Sequence, residues 1–346
     1  MTENVLKRNW ETSVTDLLPL KPIESDLAEK TRETLDQRAR LDELVSGAID
    51  RGLRNVFFVG AGGSLIAAYP GHYLLENEGT WPVYKLQSDE LNTGRPRRLG
   101  DGSLVFLASY TGKTKETVAA AQYAKSTGAT VAVVTKEGGP LAEAADVAFT
   151  GKSDLFMQLA AYALLRRSGV ERDWALLDRA LDALPEAMVA TAHEGEERAR
   201  VIAEALKDEP ITYVLGSGPS YGWAYGLAMC FLQEMQWKHA AGFNSGEFFQ
   251  GAFEVINDDV AVINLLGEDP SRAMAERAKR FLDTYATKKT FHIDTADLTL
   301  PGIPTALRGE VSALAIAVLM DRLARHYEAV RGHDLDKRNY MFQVDY

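Results

Sequence analysis

The 346-residue sequence contains a single cysteine, Cys230. No disulfide can therefore form within the chain, and a cysteine-based zinc site is excluded. A lone thiol fits a reducing compartment, and the expected location is the cytoplasm. No stretch approaches the ~18 consecutive apolar residues of a membrane helix, so no membrane partner is expected. The opening residues, MTENVLKRNWETS, lack the apolar core of a secretory signal. Basic residues are outnumbered, 38 Lys and Arg against 49 Asp and Glu, for a net charge of −11 with no basic stripe. Nucleic acid is accordingly not an expected partner. The acidity does not bar a phosphorylated ligand, because the Debye length at physiological salt is about 8 Å and local donors decide. Glycine (28) and proline (12) are ordinary, and no low-complexity segment is present. What is there is a globular balance of 46% hydrophobic and 25% charged residues, which excludes wholesale disorder. The length suffices for two domains.

The pattern along the chain alternates. Residues 5–52 read as helical, with Leu27, Leu35, Leu41, Leu44 and Ile49 at helical spacing. Asn55–Val59 (NVFFV) reads as a buried strand, followed by GAGGS and a helix to about Glu78. VYKL, Ser103–Ser109 (SLVFLAS) and Thr130–Val134 (TVAVV) are further strands, with a helix over Thr114–Ser126. From Asp154 to Lys207 the pattern is almost wholly helical. The alternation restarts with strands at Ile211–Leu215, Val260–Leu265 and Thr290–Ile293 and helices after GSGPS, over Ser271–Tyr285 and over Gly309–Tyr327. Such alternation implies parallel sheets covered by helices on both faces. VGAGGS and LGSGPS begin 156 residues apart in the same grammar, so an internal duplication is expected. The expected division is an N-terminal helical segment (1–50), a first α/β unit (51–152), a helical bridge (153–207), a second α/β unit (208–332) and a tail (333–346).

Two turns in the first unit can hold an anion. In GAGGS, glycine lets backbone N–H groups approach closely at a helix start; Gly62 and Ser64 are the candidates. A dinucleotide fingerprint would need glycine at position 65, which is Leu65, so a nicotinamide cofactor is not expected. In SYTGKTKET, the hydroxyls of Ser109, Tyr110, Thr111 and Thr114 cluster between a strand and a helix. A hydrogen bond to a charged group contributes about 1.5–3 kcal/mol, and the helix terminus adds roughly 0.3–1 kcal/mol. Three or four such contacts hold a phosphate monoester without an arginine fork. The plainer reading is a capped helix start, which would use one hydroxyl rather than four.

VGAGGS, SYTGKTKET and LGSGPSYGWAYGLAMCFLQEMQWKHAAGFNSGEFFQGAFEVI together resemble the tandem sugar isomerase (SIS) family over roughly residues 50–346. SYTGKTKET is similar to that family's S-x-S-G-x-T-x-E-T phosphate loop, with Thr111 in place of a serine. The resemblance implies two three-layer α/β/α sandwiches with parallel sheets, a phosphosugar ligand, no cofactor and no metal, and a homodimer. Two groups are near: the isomerase half of glucosamine-6-phosphate synthase and the fructosamine-6-phosphate deglycases. The chain carries neither a glutaminase domain nor an N-terminal catalytic cysteine, and the position matching the synthase's Schiff-base lysine is Phe342, so the deglycases fit better.

By the same resemblance, Glu234 matches the family's catalytic glutamate. The family's histidine sixteen residues further on, which often reaches a neighbouring subunit's site, is Gln250 here. Glutamine donates a hydrogen bond but exchanges no proton near neutral pH. His333, at the start of the tail, is the candidate to take over its work, with His239 as a second histidine better suited to a structural role. Glu90, after the second strand, and Ser153, at a helix start, are candidates for the sugar; Glu247 is expected to be structural or interfacial. Phe243, Phe248, Phe249 and Phe253 form an apolar cluster expected to serve dimerisation or the core. The expected activity is cleavage of a ketosamine 6-phosphate to glucose 6-phosphate and an amine through an enaminol, with Glu234 as base. An aldose–ketose isomerase of a phosphosugar or amino sugar, and a non-catalytic phosphosugar-binding protein, are the alternatives.

Overall fold

The computed structural model describes residues 17–136, 138–341, 343 and 344. Phe342 and residues 5–16 of the expected first helix lie outside the described residues. The described part of that helix begins only at Leu27 and is broken into Leu27–Leu35 and Arg38–Asp50. Residues 17–24 are irregular instead. Pro19 and Pro22 explain this, since each lacks an N–H and disfavours helical backbone in the residue before it.

Two parallel sheets follow. The first joins β1 (Asn55–Gly60), β2 (Val83–Gln87), β3 (Ser103–Ala108), β4 (Thr130–Val134) and β5 (Val147–Phe149) in the order β2-β1-β3-β4-β5. The second joins β6 (Ile211–Gly216), β7 (His239–Asn244), β8 (Ala261–Leu266) and β9 (Thr290–Asp294) in the order β7-β6-β8-β9. The shared order and parallel pairing establish the two-fold α/β architecture. In both halves the first strand lies between the second and third, so the connections that follow the first and third strands run to opposite sides of the sheet. That makes the crevice beyond the carboxyl ends of β1 and β3, and of β6 and β8, the place where such a sheet opens to a ligand.

Strand alternation builds the core. Val56, Phe58, Leu104 and Phe106 face the large core shared with Val214, Ile263 and Leu265 of the second sheet. Phe57, Val59, Val105 and Leu107 face a second apolar layer under the helix Lys115–Ser126. Phe58 stacks on Phe106 with ring centroids 5.6 Å apart. Each buried phenylalanine stabilises the fold by roughly 1.5–3 kcal/mol. The helix Ser153–Arg167 packs against Tyr69–Glu78 so closely that a Cβ on Gly71 would come within 2.2 Å of the Met157 carbonyl. The 33-residue helix Trp174–Leu206 lies along Arg308–Arg331, with Gly195 admitting the Leu319 side chain.

The phenylalanine cluster is packed within the chain. Phe248 is fully buried, and Phe249 and Phe253 each meet Phe281 of the helix Arg272–Tyr285 at 5.7 and 5.8 Å. Phe243 packs on Tyr213 instead, at 5.3 Å. These rings form the outer core layer of the second sheet. No helix among the described residues is long and apolar enough to cross a membrane.

Candidate active site

The two glycine turns are built alike. Gly60 and Gly216 end β1 and β6, and in each a Cβ would come within 2.8 Å of the following helical turn, Leu65 N and Ser220 O respectively. Gly62 and Gly218 both have positive φ, +54° and +50°. An L side chain at either position would be strained, so the turn needs glycine there.

They differ in what surrounds them. A Cβ on Gly62 or Gly63 would meet nothing within 4 Å, so open space lies beside the first turn. Ser64, half-buried, is the second residue of the short helix Gly63–Ile66 there. Gly218, in contrast, lies against Ser271 and Asp269. Ser271 donates to Asp269 through its backbone N–H at 2.9 Å and through Oγ at 2.5 Å. Ser271 Oγ also lies 3.1 Å from Ser217 Oγ. Ser217, Asp269 and Ser271 are all buried. A carboxylate of the chain itself thus fills the second crevice. Burial raises the Asp269 pKa above the ordinary carboxylate range, opposed by the bonds from Ser271.

Across the open first crevice stands the hydroxyl loop. Ser109, just past β3, is buried, Thr114 is half-buried and Thr111 is exposed. Ser109 Oγ and Thr114 Oγ1 are 2.9 Å apart. Thr114 is the residue before the helix Lys115–Ser126, yet its side chain makes no capping bond. Thr111 Oγ1 accepts weakly from the Lys113 N–H at 3.3 Å. Gly112 carries the loop through φ +66°, pressed against Thr135. Tyr110 is 69% exposed, with the Lys136 ammonium 4.8 Å from its ring centre. Thr135 Oγ1 is buried with no partner among the described residues. It is a hydroxyl beneath this loop that the sequence reading did not single out, though TVAVVT places it at a strand's end.

Glu234 belongs to the second half and connects to the first glycine turn through Cys230. The helix Tyr221–Gly226 continues into a π-helical stretch, Leu227–Met235, which carries it. π-Helical turns are rare and recur at functional sites. Two residues past its end, Trp237 holds a strained, non-glycine φ of +52°. Gly63–Ile66 touches both β3 and the helix Tyr221–Gly226. Cys230, one turn before Glu234, is influenced by both the Glu234 carboxylate and the Gly63 backbone; burial above all pushes its thiol up to about 12. Burial likewise raises the Glu234 pKa, and the neighbouring Arg338 opposes the rise.

The tail residue that meets Glu234 is Arg338, not His333. Arg338 Nη2 lies 2.9 Å from Glu234 Oε1, with side chains 13% and 24% exposed. His333 is buried, its ring 4.5 Å from that of Trp237, and its backbone carbonyl accepts from Gln236 Nε2 at 2.8 Å. Burial lowers its pKa to about 4, so it is neutral at pH 7 and has no charge to offer the site. The signal for Arg338 was a basic residue in a polar, aromatic tail, too common a feature to single it out.

The other candidates lie nearer the surface. Gln250 is exposed on the turn Glu247–Gln250, and Glu247 and His239 are exposed too. Glu90 is exposed in the helix Ser88–Gly94, its N–H held by Gln87 Oε1 at 3.0 Å. Ser153 is half-buried as the first residue of Ser153–Arg167.

Comparison with known proteins bears on this arrangement. Residues 51–154 match the SIS domain. The chain is 32% identical to the fructosamine deglycase FrlB of Bacillus subtilis over 323 residues, covering 89% of this chain and 96% of that protein. It is 27% identical to the fructoselysine 6-phosphate deglycase of Escherichia coli, over 87% of this chain and 88% of that one. A crystal structure from Bacillus subtilis described as a phosphosugar isomerase superposes with a TM-score of 0.82 at 30% identity, covering 93% of this chain and all of that one.

Proposed function

The chain belongs to the SIS-domain family, and from that premise we propose that it is a deglycase that splits a ketosamine 6-phosphate into glucose 6-phosphate and a free amine. One observation carries the reading. The half-buried Glu234 acts on Cys230, which also meets the backbone of Gly63 in the first glycine turn, the turn with open space beside it, while the equivalent second turn lies against Asp269. Ser109, Thr111 and Thr114 with the Gly62–Ser64 turn grip the phosphate, and the sugar's C1 and C2 lie toward Glu234.

The proton balance needs no imidazole. In the open-chain substrate the C1 carbon bears a protonated secondary amine and C2 is a ketone. Glu234 takes a C1 proton, and the C1–H electron pair forms the C1=C2 bond. The C2 oxygen takes a proton from the adjacent ammonium, giving a neutral enaminol. Protonated Glu234 then returns its proton to C2, and the nitrogen pair forms the C1=N bond of an iminium. Water adds to C1, the C–N bond breaks, and the amine leaves with the aldehyde product. A carboxyl with a pKa raised by burial suits both directions of this shuttle. Gln250, which exchanges no proton, is compatible with it.

The reading includes a cytoplasmic setting, supported by the single thiol, and a homodimer. Gln250 sits on an exposed turn, where its side chain is available to a second copy. Sedimentation showing a monomer at micromolar concentration would oppose the dimer. The activity is tested by incubating the protein with fructoselysine 6-phosphate in deuterated water and following products by NMR. Release of amine and glucose 6-phosphate labelled at C2 supports the reading. Label exchange without amine release points to an isomerase, and binding without exchange to a carrier.

A further inference from the structure

The deglycase reading leaves the guanidinium of Arg338 without a task, and its geometry supplies one. Nη1 donates to the carbonyls of Leu335 at 2.5 Å and Lys337 at 2.8 Å, so the tail wraps around one side of the group. The opposite edge is formed by Nε and Nη2. Nη2 holds Glu234 at 2.9 Å. Nε is buried and has no partner among the described residues. On that edge the two N–H bonds run side by side, so the free donor points along the flank of the Glu234 carboxylate. A pair that served only to pin the tail would leave no such buried donor unspent.

We propose that Arg338 is a working residue of the site: Nη2 fixes the Glu234 carboxylate, and Nε binds the C2 oxygen of the ketosamine as negative charge develops there. The inference rests on the deglycase reading. A guanidinium gives up no proton in this pH range, so it acts by charge and geometry, and the proton reaching the C2 oxygen remains the substrate's own. The tail is docked firmly enough to place it. Glu328, almost wholly buried, accepts from the Leu335 N–H through Oε1 at 3.2 Å and from Lys21 Nζ at 2.8 Å, and its carbonyl accepts from the His333 N–H at 3.2 Å. Gln236, two residues past Glu234, grips the His333 carbonyl. The tail's root is thus tied to the helix that carries the base. Among the described residues, the ionisable groups that act on Glu234 are Arg338 from the tail and Cys230 from its own helix.

The test compares wild type with Arg338→Gln, Arg338→Lys and Arg338→Gly on a ketosamine 6-phosphate. Loss of a donor to developing charge predicts a fall in kcat of about 10²-fold for Arg338→Gln, with KM changed far less. The acid limb of its kcat/KM profile shifts to higher pH, because Glu234 has lost its cation. Arg338→Lys returns the acid limb toward wild type but not kcat, since an ammonium cannot serve two acceptors along one edge. Added guanidinium ion raises kcat of Arg338→Gly, and sodium at equal ionic strength does not. Arg338→Gln turning over like wild type with an unmoved acid limb overturns the inference alone. If Arg338→Gln fails to fold, full kcat in Arg338→Lys overturns it instead. Absence of turnover in the wild type sinks the deglycase reading and this inference with it.

Discussion

Ser109 Oγ and Thr114 Oγ1 lie 2.9 Å apart across the turn that follows β3, so the two hydroxyls flank the crevice as a pair. Thr114 occupies the capping position of the helix Lys115–Ser126 but leaves that helix's N–H groups uncapped by its side chain. A capping threonine would stabilise its helix by ~1 kcal/mol. This one is spent on Ser109 instead, as expected of a residue placed for a ligand.

Removing one hydroxyl of the pair should weaken substrate binding and little else. Hydrogen bonds to a charged phosphate contribute about 1.5–3 kcal/mol each, so Ser109→Ala is expected to raise KM at least about tenfold. The contact persists through the reaction, so kcat should stay within about threefold of wild type. Steady-state kinetics decide this, and an unchanged KM would show that the pair is not a phosphate clamp.

Glu234→Gln keeps the shape and loses the base. General-base catalysis is worth ~10²–10⁴ in rate, and kcat should fall by that order. Glucose 6-phosphate should still bind with near wild-type affinity by calorimetry, because the hydroxyl loop is untouched. In wild type, burial raises the Glu234 pKa. The acid limb of kcat/KM should therefore lie at higher pH than an unperturbed glutamate would set, and a limb at or below that point would contradict the assignment.

Much of this architecture was legible in the sequence because its signals are local. NVFFV and SLVFLA are apolar on both faces, which only a covered parallel strand tolerates, and both glycine turns are visible as motifs. What escaped depended on distant context. β7, HAAGFN, has a glycine in its middle because the Ala224–Tyr225 backbone passes within 2.8 Å of where a Cβ would be, so its composition reads as loop. β5 has only three residues. Glu234 was found by motif, but its partner could not be. Arg338 is 104 positions away, and the tail's fold rests on Gln236 and Glu328, contacts that no periodicity announces. Asp269 also escaped, since an acidic turn after a strand looks like any solvated loop until Gly218 closes over it.

Asp269→Asn tests whether the second crevice is filled at a cost. Asp269 Oδ2 is buried without a partner among the described residues, as is Ser220 Oγ. Its folded pKa is raised, so its protonated form suits the fold: the stability it contributes is whole at low pH and is lost as pH rises through that raised pKa. Asparagine keeps the acceptor for Ser271 and removes the charge. It should stabilise the protein by on the order of 1 kcal/mol near neutral pH, where an unsatisfied buried acceptor is relieved. The gain should vanish below the carboxylate range. Melting curves across pH measure it, and a variant destabilised at every pH would mean that the ionised carboxylate is needed there.

His333 predicts the opposite pH dependence. Its ring is buried against Trp237, Nε2 has no partner among the described residues, and burial lowers its pKa from 6.5 to about 4. The folded state thus favours the neutral ring. The stability this contributes is complete above pH 6.5 and is lost as pH falls through about 4. Protonation would expel the ring from Trp237 and loosen the tail root held by Gln236, drawing Arg338 away from Glu234. Activity and melting temperature should therefore fall together over that window and recover on neutralisation. His333→Phe keeps the packing and removes the titration. Its melting temperature should drop less than that of wild type between about pH 7 and about pH 5. Some slope will remain, because His72, half-buried near Lys85, has its pKa lowered to about 4 as well. An identical slope in wild type and His333→Phe would assign the acid sensitivity elsewhere and leave the tail's docking independent of its histidine.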